Sequence, residues 1–335
     1  LHDALPICKM VDLSGATPSG LNGRKLILSA ASGSFTFAAP GISDGSATGS
    51  INCKRSPLGW TKAATGTNKA IYARSDVAAT AMGLRIDDTK TSPATAVDAR
   101  AVMVESWTDV DTYTAPAPTA AQLSGGQYWS KGVDNTNAKK WVLVGDSRFF
   151  WLLTESSTYP YSSSQGLMLH GFGDPVSYRA GDAFGALLTG GAAQNGTSAT
   201  PFMVGAPAGA SLSSMAAVFS RLSSQVGAAV RAGNVSAAGG AVYGTSGPVY
   251  PSPVDNGGVF LAPALVSEDN SNFGNPIRGQ APGLVVPLAK GLGALHLQTL
   301  TGVTGFSGAL LVVALINAGS SAAGALCFDI TNAWR

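Results

Sequence analysis

A mainly β, antiparallel architecture, sandwich-like or barrel-like and built of many short strands, is what this sequence predicts, and three observations predict it. Apolar residues fall in strand-length runs or in strict alternation, and Gly, Pro, Asn, Asp or Ser stops each run within a few residues. Glycine is abundant, at 42 of 335 residues, while charged residues are only 12%, about half the usual share, which favours tight turns and small neutral side chains over charged helix surfaces. Only one stretch carries a helical period. The 45% apolar content supplies a core and excludes a disordered chain, which would be charged and poor in apolar residues.

The chain opens on Leu1 rather than Met, and residues 1–7 (LHDALPI) resemble translated adapter sequence foreign to the protein, with the true start upstream. Beyond them, residues 26–28 and 35–37 predict a short hairpin across Ser, Ala and Gly. Residues 41–49 are loop, and residues 50–54 form a strand that ends at Pro57. Residues 58–62 and 69–74 flank a turn at Thr65-Gly66-Thr67-Asn68. Met82, Leu84 and Ile86 alternate with small or polar neighbours, and residues 100–107 alternate again, so these two segments pair as an antiparallel ladder. Residues 114–118 (TAPAP) make a stiff connector that leads to Tyr128-Trp129.

The central stretch, residues 141–155 (WVLVGDSRFFWLLTE), sets two apolar runs on either side of Gly145-Asp146-Ser147. Read as chemistry, a strand ending in Gly-Asp-Ser resembles the nucleophile block of GDSL-type (SGNH) ester hydrolases, with Ser147 in the nucleophile's place. Read as structure, it is a tight turn between two strands, with Gly free to take positive φ and Asp at ease in turn geometry. The turn is the stronger reading. In the hydrolase family a helix follows the serine, whereas residues 148–153 are aromatic and strand-like. A serine nucleophile also needs a base oriented by a third group, and the late Asp-x-x-His of that family is absent. His2 lies in the foreign segment, and His170 and His296 stand in other contexts.

Residues 154–165, rich in Ser and Pro, predict a boundary between an N-terminal β domain (8–160) and a C-terminal β-rich domain (161–335). After it, residues 166–174 and 179–185 each carry a Gly-Asp pair. Asp174 and Asp182 read as turn residues rather than as paired catalytic acids. Leu212, Met215, Phe219, Leu222, Val226 and Val230 recur at three- and four-residue steps, with Ser211 as cap and Gly233 as stop. They predict one short helix near 211–232, against the low propensity of its Ser residues and Gly227. Residues 239–253 are Gly/Pro-rich. Strands are then expected at 259–261, 264–266, 277–284, 310–316 and 324–330. The run 310–316 (LLVVALI) falls far short of the roughly 20 residues that a membrane-spanning helix needs and has the length of a buried strand.

Composition narrows the function classes. Net charge is +2, and Lys and Arg adjoin only in the pairs Arg24-Lys25, Lys54-Arg55 and Lys139-Lys140, which argues against a dedicated nucleic-acid surface. Cys8, Cys53 and Cys327 form no C-x-x-C, so neither a zinc nor a redox site is predicted. Their odd number suits assembly in a reducing cytoplasm. Asp87, Asp88, Asp109 and Asp111 would hold calcium only if their strand ends converged, and their spacing matches no calcium loop. No catalytic residue, metal ligand or cofactor site is predicted.

A set of segments in order along the chain carries a resemblance: residues 15–23 (GATPSGLNG), 57–60 (PLGW), 66–72 (GTNKAIY), 84–88 (LRIDD), 107–111 (WTDVD), 144–148 (VGDSR), 171–174 (GFGD), 181–183 (GDA), 277–284 (IRGQAPGL) and 328–335 (FDITNAWR). Together they resemble an uncharacterised family of virion structural proteins of tailed bacteriophages and prophages. Between 211 and 240 the chain is richer in Ala and Ser than that pattern. The resemblance implies a virion subunit assembled in the bacterial host cytoplasm, with itself and other phage structural proteins as partners. It implies no site residue and no enzymatic activity, and it favours the tail, baseplate or fibre base over capsid decoration. Trp60, Trp107, Trp129 and Trp334 are candidate interface anchors, since aromatics dominate interfaces, although core packing is the commoner use of any one. The alternative is a carbohydrate-binding surface-recognition module, with Tyr128, Trp129, Tyr159 and Tyr161 stacking on a glycan. A second alternative is the Ser147 ester hydrolase.

Overall fold

The computed structural model describes residues 10–31, 33–56, 59–89, 98–131, 141–155, 167–191, 217–225, 230–237, 261–268, 276–287, 298–315, 324–331 and 334. The chain forms two compact units, Leu1–Leu58 and Gly59–Arg335. Every paired strand is antiparallel to its partner, and the described residues contain no α-helix beside a single 3-10 turn at Ser19–Leu21.

The first unit is a four-stranded sheet of β1 (Met10–Ser14), β2 (Gly23–Ala31), β3 (Ser34–Phe37) and β4 (Asn52–Arg55), in the order β3-β2-β1-β4. The expected hairpin of 26–28 with 35–37 is the β2–β3 pair. Val11 and Leu13 alternate inward on β1, while Leu26 and Leu28 are exposed. Asn22 braces the turn ahead of β2: its Oδ1 accepts from the Ala16 N–H at 2.8 Å, and its Nδ2 donates to the Ala16 carbonyl at 2.9 Å.

The second unit begins with β5 (Trp60–Gly66), β6 (Lys69–Arg74), β7 (Gly83–Asp87) and β8 (Asp98–Val104), then a small hairpin of β9 (Ser106–Trp107) and β10 (Tyr113–Thr114), and β11 (Gln127–Ser130). Strands β11-β8-β7-β6-β5 make one sheet. The predicted ladder between the two alternating segments is β7–β8, with Leu84 opposite Met103. Asn68, at φ 55°, takes the left-handed position of the β5–β6 turn.

The remaining strands are β12 (Trp141–Gly145), β13 (Phe149–Glu155), β14 (Leu167–Gly173), β15 (Val176–Ser177), β16 (Leu187–Thr189), β17 (Ala217–Phe219), β18 (Val230–Ala237), β19 (Leu261–Glu268), β20 (Ile277–Pro287), β21 (Thr299–Thr301), β22 (Ala309–Leu315) and β23 (Gly324–Asp329). They join in the order β12-β13-β14-β16-β17-β18-β19-β20-β23-β22-β21, with β15 added beside β20.

The aromatic run of β13 is explained by burial on both faces. Phe150 and Leu152 point toward the five-stranded sheet and share a core with Leu84, Met103, Trp129 and Phe172. Phe149, Trp151 and Leu153 point the other way and are fully buried. On that face Trp151 meets Phe328 of β23 at 6.3 Å, and its indole N–H donates to the Pro282 carbonyl of β20 at 2.8 Å. A strand covered on both faces has no need of polar alternation, so it reads as a continuous apolar run.

The helix expectation is corrected. Among the described residues of 211–232 there is no helix. Within that range the described residues show Ala217–Phe219 as β17, Ser220–Gln225 as a turned segment, and Val230 opening β18. Phe219 is fixed by its ladder partner Leu187, and the Ser and Gly residues of the stretch left helix propensity too weak to compete. The expected division at 160/161 does not coincide with the two units. The strands on either side of 156–166 are adjacent, with Glu155 opposite Leu167, so that segment, itself outside the described residues, connects neighbours of one sheet.

Candidate functional site

Turn chemistry and an arginine at the start of β20 build the most polar buried centre of the second unit. Asp182 sits in the turn after β15, and Arg278 reaches it from β20. Arg278 Nε donates to Asp182 Oδ2 at 2.8 Å and Nη2 to Oδ1 at 2.6 Å, a two-pronged pair whose side chains are 1% and 3% exposed. Ser177 Oγ donates to Asp182 Oδ2 at 2.9 Å, and Gln225 Nε2 to Oδ1 at 2.9 Å. Burial alone would raise the Asp182 carboxyl, but the Arg278 bonds and charge, with Ser177 and Gln225, outweigh it and hold the carboxyl below its usual range.

The remaining Arg278 donors are also used. Nη1 reaches the Arg221 carbonyl at 2.5 Å and Glu268 Oε1 at 3.1 Å, while the guanidinium lies over Phe219 at 4.4 Å. Glu268 Oε1 also accepts the Ser223 N–H at 2.6 Å. Arg221 in turn forks onto Glu105 of the connection between β8 and β9, with two bonds of 2.7 Å. Beside this centre opens a cleft of about 310 Å³, floored by Arg278 and Glu268 and walled by Tyr178, Arg179, Ser223, Pro276 and Ile277.

A second centre ties the sheets together at the other Gly-Asp pair. Arg74 of β6 donates to Asp174 Oδ1 at 2.5 Å, to Thr80 O and Oγ1 at 2.8 and 2.7 Å, and to the Met82 and Arg148 carbonyls at 3.0 and 3.1 Å. Its guanidinium lies 5.2 Å from the ring of Phe172 and 5.6 Å from that of Trp60. Burial pulls Arg74 down from its ordinary value, against the raising effect of Asp174. Asp174 and Asp182 are thus each held by an arginine.

Ser147 occupies a hairpin turn, as the sequence predicts. Asp146 Oδ1 accepts the N–H groups of Arg148 and Phe149, both at 2.8 Å, and the Asp146 N–H donates to the Phe149 carbonyl at 2.9 Å. The Ser147 hydroxyl donates to Asp76 Oδ2 at 2.7 Å, and Arg148 Nε stands 3.6 Å from the same oxygen. His170 is buried in β14, stacked on Trp129 at 5.2 Å. His2 and His296 lie outside the described residues.

The acidic cluster is taken up by cations and turns. Arg85 Nη2 reaches both Asp87 Oδ2 and Asp111 Oδ1 at 3.0 Å, Lys69 Nζ reaches Asp111 Oδ1 at 2.9 Å, and Lys131 pairs with Asp88. Asp109 accepts the N–H groups of Asp111 and Thr112, which hold its carboxyl below the usual range. Among the described residues no group of three or more His, Cys, Asp or Glu side chains is placed to hold a metal ion.

The aromatic candidates lie in different surroundings. Trp129 is buried, and its indole N–H donates to the Thr189 carbonyl at 2.8 Å. Trp60 packs edge-on against Phe150 at 5.0 Å. Trp107 lies over Gly83 and Trp334 over Gly283, where an added Cβ would enter each ring. Of these four Trp129 is buried, while Trp60, Trp107 and Trp334 are half-buried against their neighbours. Tyr128 is covered by the Arg100 guanidinium at 3.6 Å, and Tyr159 and Tyr161 lie outside the described residues. The sequence reading missed Trp141, 66% exposed on β12, and Tyr178, 57% exposed at the cleft. No periodicity could have singled them out, because exposure depends on which neighbour ends the sheet.

Cys53 is an exposed thiol and Cys327 a buried one; Cys8 lies outside the described residues. Among the described residues no helix is long and apolar enough to cross a membrane. No family model matches the chain. No curated protein matches it either.

Proposed function

We propose that this chain is a non-enzymatic structural subunit of a tailed bacteriophage particle, self-associating and docking to other virion proteins, with the tail, baseplate or fibre base favoured over capsid decoration. The observation that carries the reading is where the resembling segments meet. Asp182 of GDA binds Arg278 of IRGQAPGL across 96 residues, and Asp174 of GFGD binds Arg74, two residues past GTNKAIY, across 100. Asp146 of VGDSR accepts the indole N–H of Trp60 of PLGW on its carbonyl at 3.0 Å. The polar residues of those segments are engaged in joining distant strands, which is the use a scaffold makes of them.

Two further features support assembly. β12 ends the large sheet, so its outer edge has no strand neighbour among the described residues, and Trp141 and Leu143 project from it exposed. A surface this poor in charge is better suited to burial against neighbours than to a free monomer.

Immunogold labelling of purified phage particles with antibody to this chain tests the reading. Label on the tail or baseplate is expected. Particles free of label, with the protein left in the lysate, would overturn it.

A further inference from the structure

The cleft beside the Arg278 centre combines features that the buried network does not require. Tyr178 is 57% exposed, yet its position is fixed: its hydroxyl accepts from Gln280 Nε2 at 2.6 Å and its N–H donates to the Arg278 carbonyl at 2.8 Å. An aromatic ring pinned at one end and open on its face is a ready platform, because the entropy of fixing it has been spent in folding. Across the cleft Ile277, 52% exposed, and Pro276 add apolar surface.

Polar groups of both kinds converge there with capacity to spare. The Arg179 guanidinium makes no hydrogen bond or ion pair among the described residues. The Ser223 hydroxyl is likewise unengaged, its backbone N–H being the group that serves Glu268. Glu268, 1% exposed, accepts both of its bonds on Oε1 and forms part of the cleft floor. The formal charges at the centre also cancel, since Arg179 and Arg278 face Asp182 and Glu268. A strongly charged ligand therefore gains little. A neutral molecule that needs donors, acceptors and an aromatic face together gains most.

We infer that this cleft is a saccharide-binding site. The sugar's apolar C–H face would lie on Tyr178 and its hydroxyls would be read by Arg179 and Ser223. The volume, about 310 Å³ and open to solvent, is at the low end of ligand sites and suits one or two sugar rings at the end of a glycan rather than a long chain. The inference uses only this cleft and does not depend on the assembly role proposed above, so either can fail alone.

The test is an array of immobilised oligosaccharides, built on glucose, galactose, mannose, N-acetylglucosamine and rhamnose, probed with the purified full chain. Saturation-transfer NMR on the best hit follows. Tyr178→Ala and Arg179→Ala both alter exposed side chains, with circular dichroism checking that each variant folds, and Trp141→Ala serves as an exposed control outside the cleft lining. The expected result is binding to at least one glycan that falls about tenfold or more in each cleft variant and is unchanged in Trp141→Ala. Absence of any hit on the array would overturn the site, as would a hit that Tyr178→Ala binds as well as the parent.

Discussion

Asp182 and Arg278, 96 residues apart, close a buried two-pronged ion pair that joins the turn after β15 to the first residues of β20, and every donor of the arginine finds an acceptor there or on a neighbouring carbonyl. A buried pair is costly to break from one side, and without Asp182 the Arg278 guanidinium would keep Glu268, at 3.1 Å, as its charged partner. Asp182→Asn is therefore expected to lower unfolding free energy by about 3–5 kcal/mol, read as a lower urea midpoint at unchanged slope. The double variant Asp182→Leu with Arg278→Met strands the buried Glu268 carboxylate as well, so it should lose at least as much as the single one. A single variant within experimental error of the parent would show that the pair is replaceable.

The same carboxyl sets the direction of acid sensitivity. Its folded value lies below the unfolded one, so its contribution is present above the unfolded value near ~3.9 and is lost as pH falls through the lower folded value. Asp87 acts alike: burial would raise it, and its bonds from Thr89 and Arg85 prevail. Urea midpoints should thus be level from about pH 5 to 7 and fall below about pH 4, with a shallower fall in Asp182→Asn. An equally steep fall in that variant would place the acid sensitivity elsewhere.

How much of this was legible in the sequence depends on whether the cause was local. The β7–β8 ladder and the Gly145–Phe149 turn were legible because alternation and turn chemistry are written into neighbouring residues. Where a helix was expected near 211–232, the described residues form strand and turn instead. The spacing of Phe219 and Leu222 mimicked an apolar helix face, and pairing of Phe219 with the distant Leu187 overrode it. The arginine centres were legible only in part: Gly181-Asp182 announced a turn, but nothing local to it names Arg278. The cleft was illegible for the same reason, since Tyr178 and Ile277 become neighbours through the β15–β20 pairing alone.

Ser147 and Asp146 separate a turn from a nucleophile. Ser147→Ala removes one bond to Asp76 and is expected to cost about 0.5–1.5 kcal/mol. Asp146→Ala removes the acceptor of two turn N–H groups and should cost more, about 1.5–3 kcal/mol. Hydrolysis of p-nitrophenyl acetate should be the same for parent and Ser147→Ala. Loss of a measurable activity in that variant would instead support the ester-hydrolase alternative.

Cys327 illustrates how burial decides reactivity. Desolvation pushes its thiol up to about 12, so almost none is thiolate at neutral pH, and the thiolate is the reacting species. Iodoacetamide on the native protein should modify the exposed Cys53 and spare Cys327, with the Cys327 peptide alkylated only after denaturation, as mass spectrometry would report. Equal native labelling of both peptides would show that the β22–β23 ladder opens readily.

Gly171 of β14 stands opposite Trp151, and here two effects of opposite sign compete. Replacing a strand glycine by alanine ordinarily stabilises by about 0.5–1 kcal/mol, because the unfolded chain loses freedom. A Cβ at Gly171, however, would lie 2.5 Å from the Trp151 ring and 3.2 Å from Phe149. The indole has no room to withdraw, since its far side meets Phe328 and its N–H is committed to Pro282. Overpacking of this kind costs about 1–3 kcal/mol, so the steric effect wins and Gly171→Ala should be net destabilising. Trp151→Phe shortens the ring and should relieve that clash, making the double variant less destabilised than the sum of the two single ones. Urea unfolding of the four proteins measures the coupling. An additive result would mean that the Trp151 layer yields to the extra methyl, and that β13 is less tightly clamped than its buried aromatic run implies.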